Sequence, residues 1–166
     1  NMGLENPLDE PQLQYIDYSL WQRDRLDGEA FDKHLSYWEN TLEELPNLNL
    51  PTDFQRPSVQ TYAGASVKFE LPQDVRDQLE SIAHSNGGTL FNALMAAFGV
   101  LLSRYTGQND FAIGSPVAGR DHPDLEKIVG FFVNTLVVRL RLESVDRFDT
   151  LVKAVNESVV GGYEHQ

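Results

Sequence analysis

A run of apolar side chains between residues 90 and 105 limits what this chain can fold into. The apolar residues wrap most of the circumference of a helix instead of forming one stripe, which is typical of a helix buried on several sides. They are Leu90, Phe91, Leu94, Met95, Phe98, Leu101 and Leu102. Such a helix needs neighbours around it, so we expect it to form the centre of the core, with other elements layered on it.

Helices and strands alternate along the rest of the chain. Apolar spacings of three and four residues predict helices over residues 15–26, 31–45, 72–86 and 148–160. The last of these should fray at Gly161 and Gly162. Strands are predicted over residues 66–71, 110–117 and 131–142, and a proline-rich linker over residues 46–57. This order favours an α/β or α+β layered sandwich, in which a mixed sheet is covered by packed helices.

The composition of the 166 residues excludes several classes of protein. Hydrophobic residues make up 41% and charged residues 23%, so we expect one folded core and not a disordered chain. The formal net charge of −12 opposes binding to nucleic acid and to anionic membranes. The absence of cysteine excludes disulfides, a thiolate nucleophile and a cysteine zinc site. We expect a cytoplasmic location, and no apolar run reaches the roughly 18 residues of a membrane span.

The four histidines give no metal-binding or catalytic pattern. They are His34, His84, His122 and His165, which fall on a helix, a helix end, a loop and the C-terminus. A lone histidine in such a place is usually a surface or structural residue, so we expect no metal site. The sequence also lacks the short motifs of common hydrolases, nucleotide-binding proteins and metalloproteases. The residues by themselves therefore indicate no catalytic set.

Two polar positions stand out from their surroundings. Asn134 shares strand parity with Leu136 and Val138, which would turn its amide toward an apolar face where it needs hydrogen-bond partners. Its simplest role is to pin a neighbouring loop. Ser115 lies among small residues at the end of a predicted strand, where a ligand or another backbone can approach closely. A plain turn explains that stretch equally well.

Several segments together resemble one protein family. Residues 15–21, Tyr-Ile-Asp-Tyr-Ser-Leu-Trp, resemble the Y-x-D-[FY]-x-x-W motif of nonribosomal peptide synthetase condensation domains. Residues 130–139 resemble the G-x-F-V-N-T-x-x-x-R motif of that family, which is highly specific. His165 and Gln166 resemble the opening of its next motif, H-Q-D-x-P-F, so the chain looks cut inside that motif. Similar residues between these motifs extend the resemblance over nearly the whole chain.

The resemblance implies a fold and a reaction. The family has two lobes, as in chloramphenicol acetyltransferase, with a tunnel between them, and this chain would be mostly the C-terminal lobe. The parent enzyme forms amide bonds between thioesters held on phosphopantetheine arms of donor and acceptor peptidyl carrier domains, and no cofactor is expected to bind this chain directly. The H-H-x-x-x-D-G motif of the family is absent from the 166 residues. We therefore expect the fragment by itself to be inactive.

The resemblance also implies roles for particular residues. Those assigned to the framework or wall of the tunnel are Asn134, Thr135, Arg139 and, more weakly, Ser115. Those assigned to the connection between the lobes are Tyr15, Asp17 and Trp21. The chain then divides into a lead-in over residues 1–14 whose first residue looks added, interlobe helices and a linker over 15–57, and a truncated C-terminal lobe over 58–166.

Two other functions stay open at this point. The isolated lobe could be a non-catalytic module that docks a carrier domain or the missing N-terminal lobe. An acyltransferase that uses free acyl-coenzyme A, or an epimerisation relative, is disfavoured by the family signature at residues 132–136. The face toward the missing lobe should be unusually apolar, so we expect the isolated chain to self-associate.

Overall fold

The helices follow the predicted order, and two of the three predicted strands form. A computed structural model of the protein describes residues 12–120, 122–143 and 145–166. The predicted lead-in up to residue 11 and Asp121 of the predicted loop lie outside the described residues. The helices are α1 (Tyr15–Arg25), α2 (Glu29–Leu42), α3 (Gln73–Ser85), α4 (Leu90–Thr106) and α5 (Phe148–Glu164), and the strands are β1 (Asp110–Val117) and β2 (Asn134–Arg141).

The core lies between the sheet and the helices α3, α4 and α5. β1 and β2 pair antiparallel, from Asp110 opposite Arg141 to Val117 opposite Asn134. α5 packs on β2, α4 packs on α5, and α3 packs on both of these helices. The largest fully buried side chains are Phe111, Val138, Val152 and Val155. The layered α/β class is confirmed, but the described sheet is antiparallel where a mixed sheet was expected.

Helix α4 is buried on one side only, so the expectation that it is covered on several sides is wrong for the described residues. The helix begins after Thr89, whose backbone N–H and hydroxyl both donate to Asn92 Oδ1, and ends at Gly107 in the left-handed region. Its buried positions include Ala93, Met95 and Ala96. The opposite side exposes Phe91, Leu94, Phe98, Leu101 and Tyr105. The described elements that pack on α4 all lie on one side of it. The apolar residues on the opposite side are therefore left exposed by the described residues.

The predicted strand at residues 66–71 does not form. Residues 61–72 have no helix or strand, and Val67 and Phe69 are 91% and 86% exposed. Alternating apolar residues describe what a strand would bury, but a strand also needs a neighbour to complete its hydrogen bonds. The described residues supply no neighbouring strand for this segment, so it does not join a sheet.

Helix α5 continues through Gly161 and Gly162, where fraying was expected. A side-chain carbon at Gly161 would lie 2.5 Å from Tyr37 Oη, and one at Gly162 would lie 2.8 Å from Leu136 Cδ1. Both glycines therefore allow close approach, to α2 on one side and to β2 on the other. Packing, and not the intrinsic helix propensity of glycine, decides the conformation here.

Arg139 joins the sheet to the end of α2. Its guanidinium binds Asp110 through two hydrogen bonds, 2.8 Å at Oδ1 and 2.5 Å at Oδ2, and it also donates to the carbonyls of Thr41 and Glu43. Only 7% of the Arg139 side chain and 26% of the Asp110 side chain are exposed. The hydrogen bond from Arg139 holds the pKa of the Asp110 carboxyl below its ordinary 3.8, against the opposing effect of burial.

We expect Asp110→Asn to lower the free energy of unfolding by about 3 kcal/mol at neutral pH, because the buried guanidinium loses its carboxylate. A depressed carboxyl pKa contributes stability above the ordinary value and loses it as pH falls through the folded-state value. The difference between wild type and variant should therefore shrink as the pH drops below 3.8. Urea unfolding over a pH series measures this difference.

Asp149→Asn is the matched control. The Asp149 carboxylate likewise accepts two hydrogen bonds from one guanidinium, that of Arg147. The Arg147 side chain is 74% exposed, however, so solvent weakens this ion pair. This variant should change the unfolding free energy much less at neutral pH. A difference between wild type and Asp110→Asn that stays constant down to the lowest pH would contradict the role given to Asp110.

Candidate functional site

The two family-like sequence motifs meet at one cavity, although Tyr15 and Phe131 are 116 residues apart in the chain. The cavity has a volume of about 390 Å³ and lies between α1, the segment ahead of β2 and the end of α5. Its walls include Tyr15 and Trp21 of the first motif, Asn134 of the second, and Gln166. The structure therefore brings together predicted residues from three separate parts of the sequence.

Aromatic contacts attach α1 to the segment ahead of β2. The ring of Tyr15 meets the ring of Phe132 edge-on, with 5.2 Å between centroids, and the ring of Tyr18 lies 4.7 Å from the same ring. The Tyr15 hydroxyl donates to the carbonyl of Phe131 at 2.8 Å. Phe132 is 6% exposed and packs with Leu125, Ile128 and Tyr18 in a small cluster of its own. Phe132 and Tyr18 of this cluster line the cavity.

Asp17 and Trp21 have different roles within the first motif. Asp17 does not line the cavity; its carboxylate accepts from the backbone N–H of Gln14 and so stabilises the start of α1. Trp21 lies at the cavity wall, 47% exposed, between Tyr18 and the guanidinium of Arg25. A large exposed aromatic surface of this kind is available for contact with another molecule or segment.

The residues assigned to the tunnel framework do not all meet. Arg139 lies five residues from Asn134 on β2, about 17 Å along the strand, and is occupied by its contacts with Asp110 and α2. Thr135 is exposed and pairs with Pro116, outside the cavity wall. Ser115 is half-buried opposite Leu136 and does not line the cavity either. Of the four residues, the structure places only Asn134 at this cavity.

Asn134 is exposed at the open end of the sheet. It opposes Val117 in the last pair of the ladder, beyond the apolar residues that cover the core. Its Oδ1 accepts from the backbone N–H of Thr135 at 2.8 Å, which orients the side chain and leaves its NH₂ group as a donor. The expectation that this amide turns into an apolar face is wrong, because the buried residues of β2 begin at Leu136 and the strand extends past them to Asn134.

His165 is held by contacts on several sides. Its ring stacks on Tyr37, with 4.0 Å between centroids and 10° between planes, and its Nδ1 lies 2.8 Å from the carbonyl of Gly161. The indole N–H of Trp38 donates to the His165 carbonyl at 2.7 Å. His165 therefore ties the end of α5 to α2, and this position fixes Gln166 at the cavity wall.

His34 also lines the cavity, although no sequence motif predicts this position for it. Its ring meets that of His165 edge-on at 5.4 Å, and its Nδ1 is buried without a hydrogen-bond partner among the described residues. Tyr163 and Glu164 complete the same wall. These residues come from α2 and the end of α5, and only the packing of those two helices brings them to the cavity.

The cavity is lined by both aromatic and polar side chains. The aromatic ones include Tyr15, Trp21 and Phe132, and the polar ones are Gln22, Arg25, His34, Asn134, Glu164 and Gln166. The described residues contain no group of three or more side chains that could hold a metal ion. Among them no single helix is long and apolar enough to cross a membrane, and α3 with α4, which together have that length and composition, bend by 106°.

Known proteins resemble this chain over nearly its whole length. The family model described as Condensation domain matches residues 1–166. Tyrocidine synthase 3 of Brevibacillus parabrevis is 44% identical over 155 residues, which are 93% of this chain and 2% of that protein. Chondramide synthase cmdD of Chondromyces crocatus is 43% identical over 161 residues, 97% of this chain and 4% of that protein. The chain thus spans a small part of each curated relative.

Solved structures share the fold. The X-domain in complex with OxyB from teicoplanin biosynthesis has a TM-score of 0.89 at 28% identity, over 98% of this chain and 37% of that chain. A four-domain nonribosomal peptide synthetase bound to AMP and glycine has a TM-score of 0.80 at 28% identity, over 91% and 12%. The condensation domain of the Monacolin K polyketide synthase MokA has a TM-score of 0.71 at 26% identity, over 98% and 39%.

We expect Tyr15→Phe to loosen α1 from the segment ahead of β2, because it removes the hydroxyl that donates to the Phe131 carbonyl. Loss of one such hydrogen bond costs about 1 kcal/mol. The fluorescence of Trp21 and Trp38 during urea unfolding should show an earlier transition. Tyr105→Phe removes a hydroxyl from a side chain that is 68% exposed, and should leave the transition unchanged. Equal effects of the two substitutions would contradict the anchoring role of Tyr15.

Proposed function

The chain belongs to the condensation-domain family, and on that premise we propose that it forms part of a site where amide bonds are made between carrier-bound thioesters. One observation carries the proposal: residues of both family motifs, Tyr15 with Trp21 and Asn134, line a single cavity. The family match over residues 1–166 supports the same assignment. The activity belongs to the longer domain of which this chain is one part.

The proposed reaction needs positioning more than activation of the substrate. The amine nitrogen of the acceptor attacks the thioester carbonyl carbon, the C–N bond forms, the C–S bond breaks, and the proton of the amine ends on the departing thiolate. Holding the two reactants in line and stabilising the charge on the carbonyl oxygen are the main tasks. We propose that the NH₂ group of Asn134 is one of the donors near that oxygen.

Condensation domains act with carrier domains that bear phosphopantetheine. The substrates of the parent would reach the cavity on such arms, whose methylene and amide groups match its aromatic walls and the Asn134 amide. We propose that the partners are a donor and an acceptor peptidyl carrier domain, together with the N-terminal lobe of the same domain. The cytoplasm is the proposed location.

A second candidate function is that of a non-catalytic docking lobe, and the uncovered apolar surface favours it for the chain by itself. Phe91 and Phe98 of α4 are 46% and 47% exposed, and Val129 and Phe131 are 95% and 77% exposed. Apolar patches of this extent are typical of surfaces that another segment or protein covers. The expected self-association of the isolated chain has the same physical origin.

A condensation assay with loaded carrier domains separates the two candidates. The 166-residue chain by itself should give no amide product, whereas a longer chain that includes an H-H-x-x-x-D-G motif should turn over. In that longer chain Asn134→Ala should lower the rate by about 100-fold, the effect typical of removing one donor from a charged transition state.

Asn40→Ala is the control, because Asn40 lies exposed on α2 and donates to the Ser36 carbonyl of its own helix. Its rate should equal that of wild type. Turnover by the 166-residue chain, or an Asn134→Ala rate equal to that of the control, would contradict the proposed function.

A further inference from the structure

We propose that Arg120 is a positioning residue that sets the orientation of Asn134 through Phe132. The inference rests on the proposed function in treating Asn134 as part of the reaction site. Arg120 follows β1 in a loop and does not line the cavity, and the family motifs quoted for this chain assign it no role. Its contacts, and not its place in the sequence, suggest this role.

The guanidinium of Arg120 contacts the face of an aromatic ring and a backbone carbonyl. The guanidinium carbon lies 4.0 Å from the centroid of the Phe132 ring, a favourable cation–π distance. Its Nη1 donates to the carbonyl of Leu125, which belongs to the short turn Pro123–Leu125. One side chain thus connects the loop after β1, this turn and the segment that leads into β2.

Phe132 is held from two directions. Arg120 covers one part of the ring, while Tyr15 and Tyr18 contact it from α1. The ring is 6% exposed, so removing one neighbour leaves a gap that water or a shifted ring must fill. Phe132 lies two residues before Asn134, and both line the cavity, so we expect a shift of the ring to move the backbone that enters β2 and to turn the Asn134 side chain.

The backbone of the loop comes close at the same point. Gly119 has φ +62°, and a side-chain carbon there would collide with the carbonyl oxygen of Phe132. Only glycine fits both the left-handed backbone and the close approach. Val117, the last residue of β1, pairs with Asn134, the first residue of β2. The loop after β1 therefore leaves the sheet next to Asn134. Arg120 is therefore placed to fix the direction in which the segment enters β2.

Two substitutions test the inference. Arg120→Gln removes the charge, whereas Arg120→Lys keeps a cation near the ring but loses the planar group. In the 166-residue chain, NMR should show a moved side-chain amide resonance of Asn134 in Arg120→Gln and a smaller movement in Arg120→Lys. In the longer, active domain, Arg120→Gln should lower kcat about tenfold with little change in KM, and Arg120→Lys should recover part of this loss.

Arg76→Gln is the matched control, because Arg76 is an exposed arginine of α3 whose ion pair with Glu80 lies within one helix. It should move neither the Asn134 resonance nor the rate. Unchanged Asn134 resonances in Arg120→Gln would overturn the inference, whatever the rate does. Equal losses in Arg120→Gln and Arg120→Lys, with core resonances such as those of Val152 also moved, would overturn it as well, since they mark general unfolding.

The proposed function can fail separately. If Arg120→Gln moves the Asn134 resonance while Asn134→Ala leaves the rate of the longer domain unchanged, the role of Asn134 in the reaction is contradicted. The positioning of Asn134 by Arg120 is supported by that result. The two claims therefore have different experimental signatures.

Discussion

The guanidinium of Arg139 connects three parts of the molecule that are distant in sequence. It binds Asp110 across the sheet and the carbonyls at the end of α2. α2 carries His34, Tyr37 and Trp38, which contact His165 at the end of α5. The position of α2 on the sheet thus determines where one wall of the cavity lies, although Arg139 itself is far from that cavity. The family resemblance assigned Arg139 to the reaction site, but its contacts here connect elements of the fold.

Local signals in the sequence predicted much of the fold and part of the site. β1 has the predicted limits. α4 starts where predicted and ends one residue later than predicted, because Thr89 and Gly107 mark its two ends locally. The predictions of a strand at residues 66–71, of an α4 buried on several sides and of an α5 that frays at Gly161 were wrong for a common reason. Each depends on which partner lies alongside, and periodicity along one segment does not identify a partner.

The same limit applies to the site. The two motifs identified the family and gave Tyr15, Trp21 and Asn134, which the structure brings to one cavity. His34 and Arg120 carry no local pattern, since their roles arise from the packing of α2 against α5 and from a loop that folds back onto Phe132. Large apolar side chains on α4, and those of Val129 and Phe131, are exposed among the described residues. We propose that the remainder of the parent domain covers them.

The two motifs contact each other within this chain, and the cavity depends on that contact. NOE spectroscopy of the 166-residue chain tests it most directly, because the rings of Tyr15 and Tyr18 lie 5.2 and 4.7 Å from that of Phe132. We expect ring-to-ring cross-peaks from Phe132 to both tyrosines, together with core cross-peaks between Phe111 and Leu140, which are paired across the sheet. Core cross-peaks without any contact from Phe132 to α1 would contradict it.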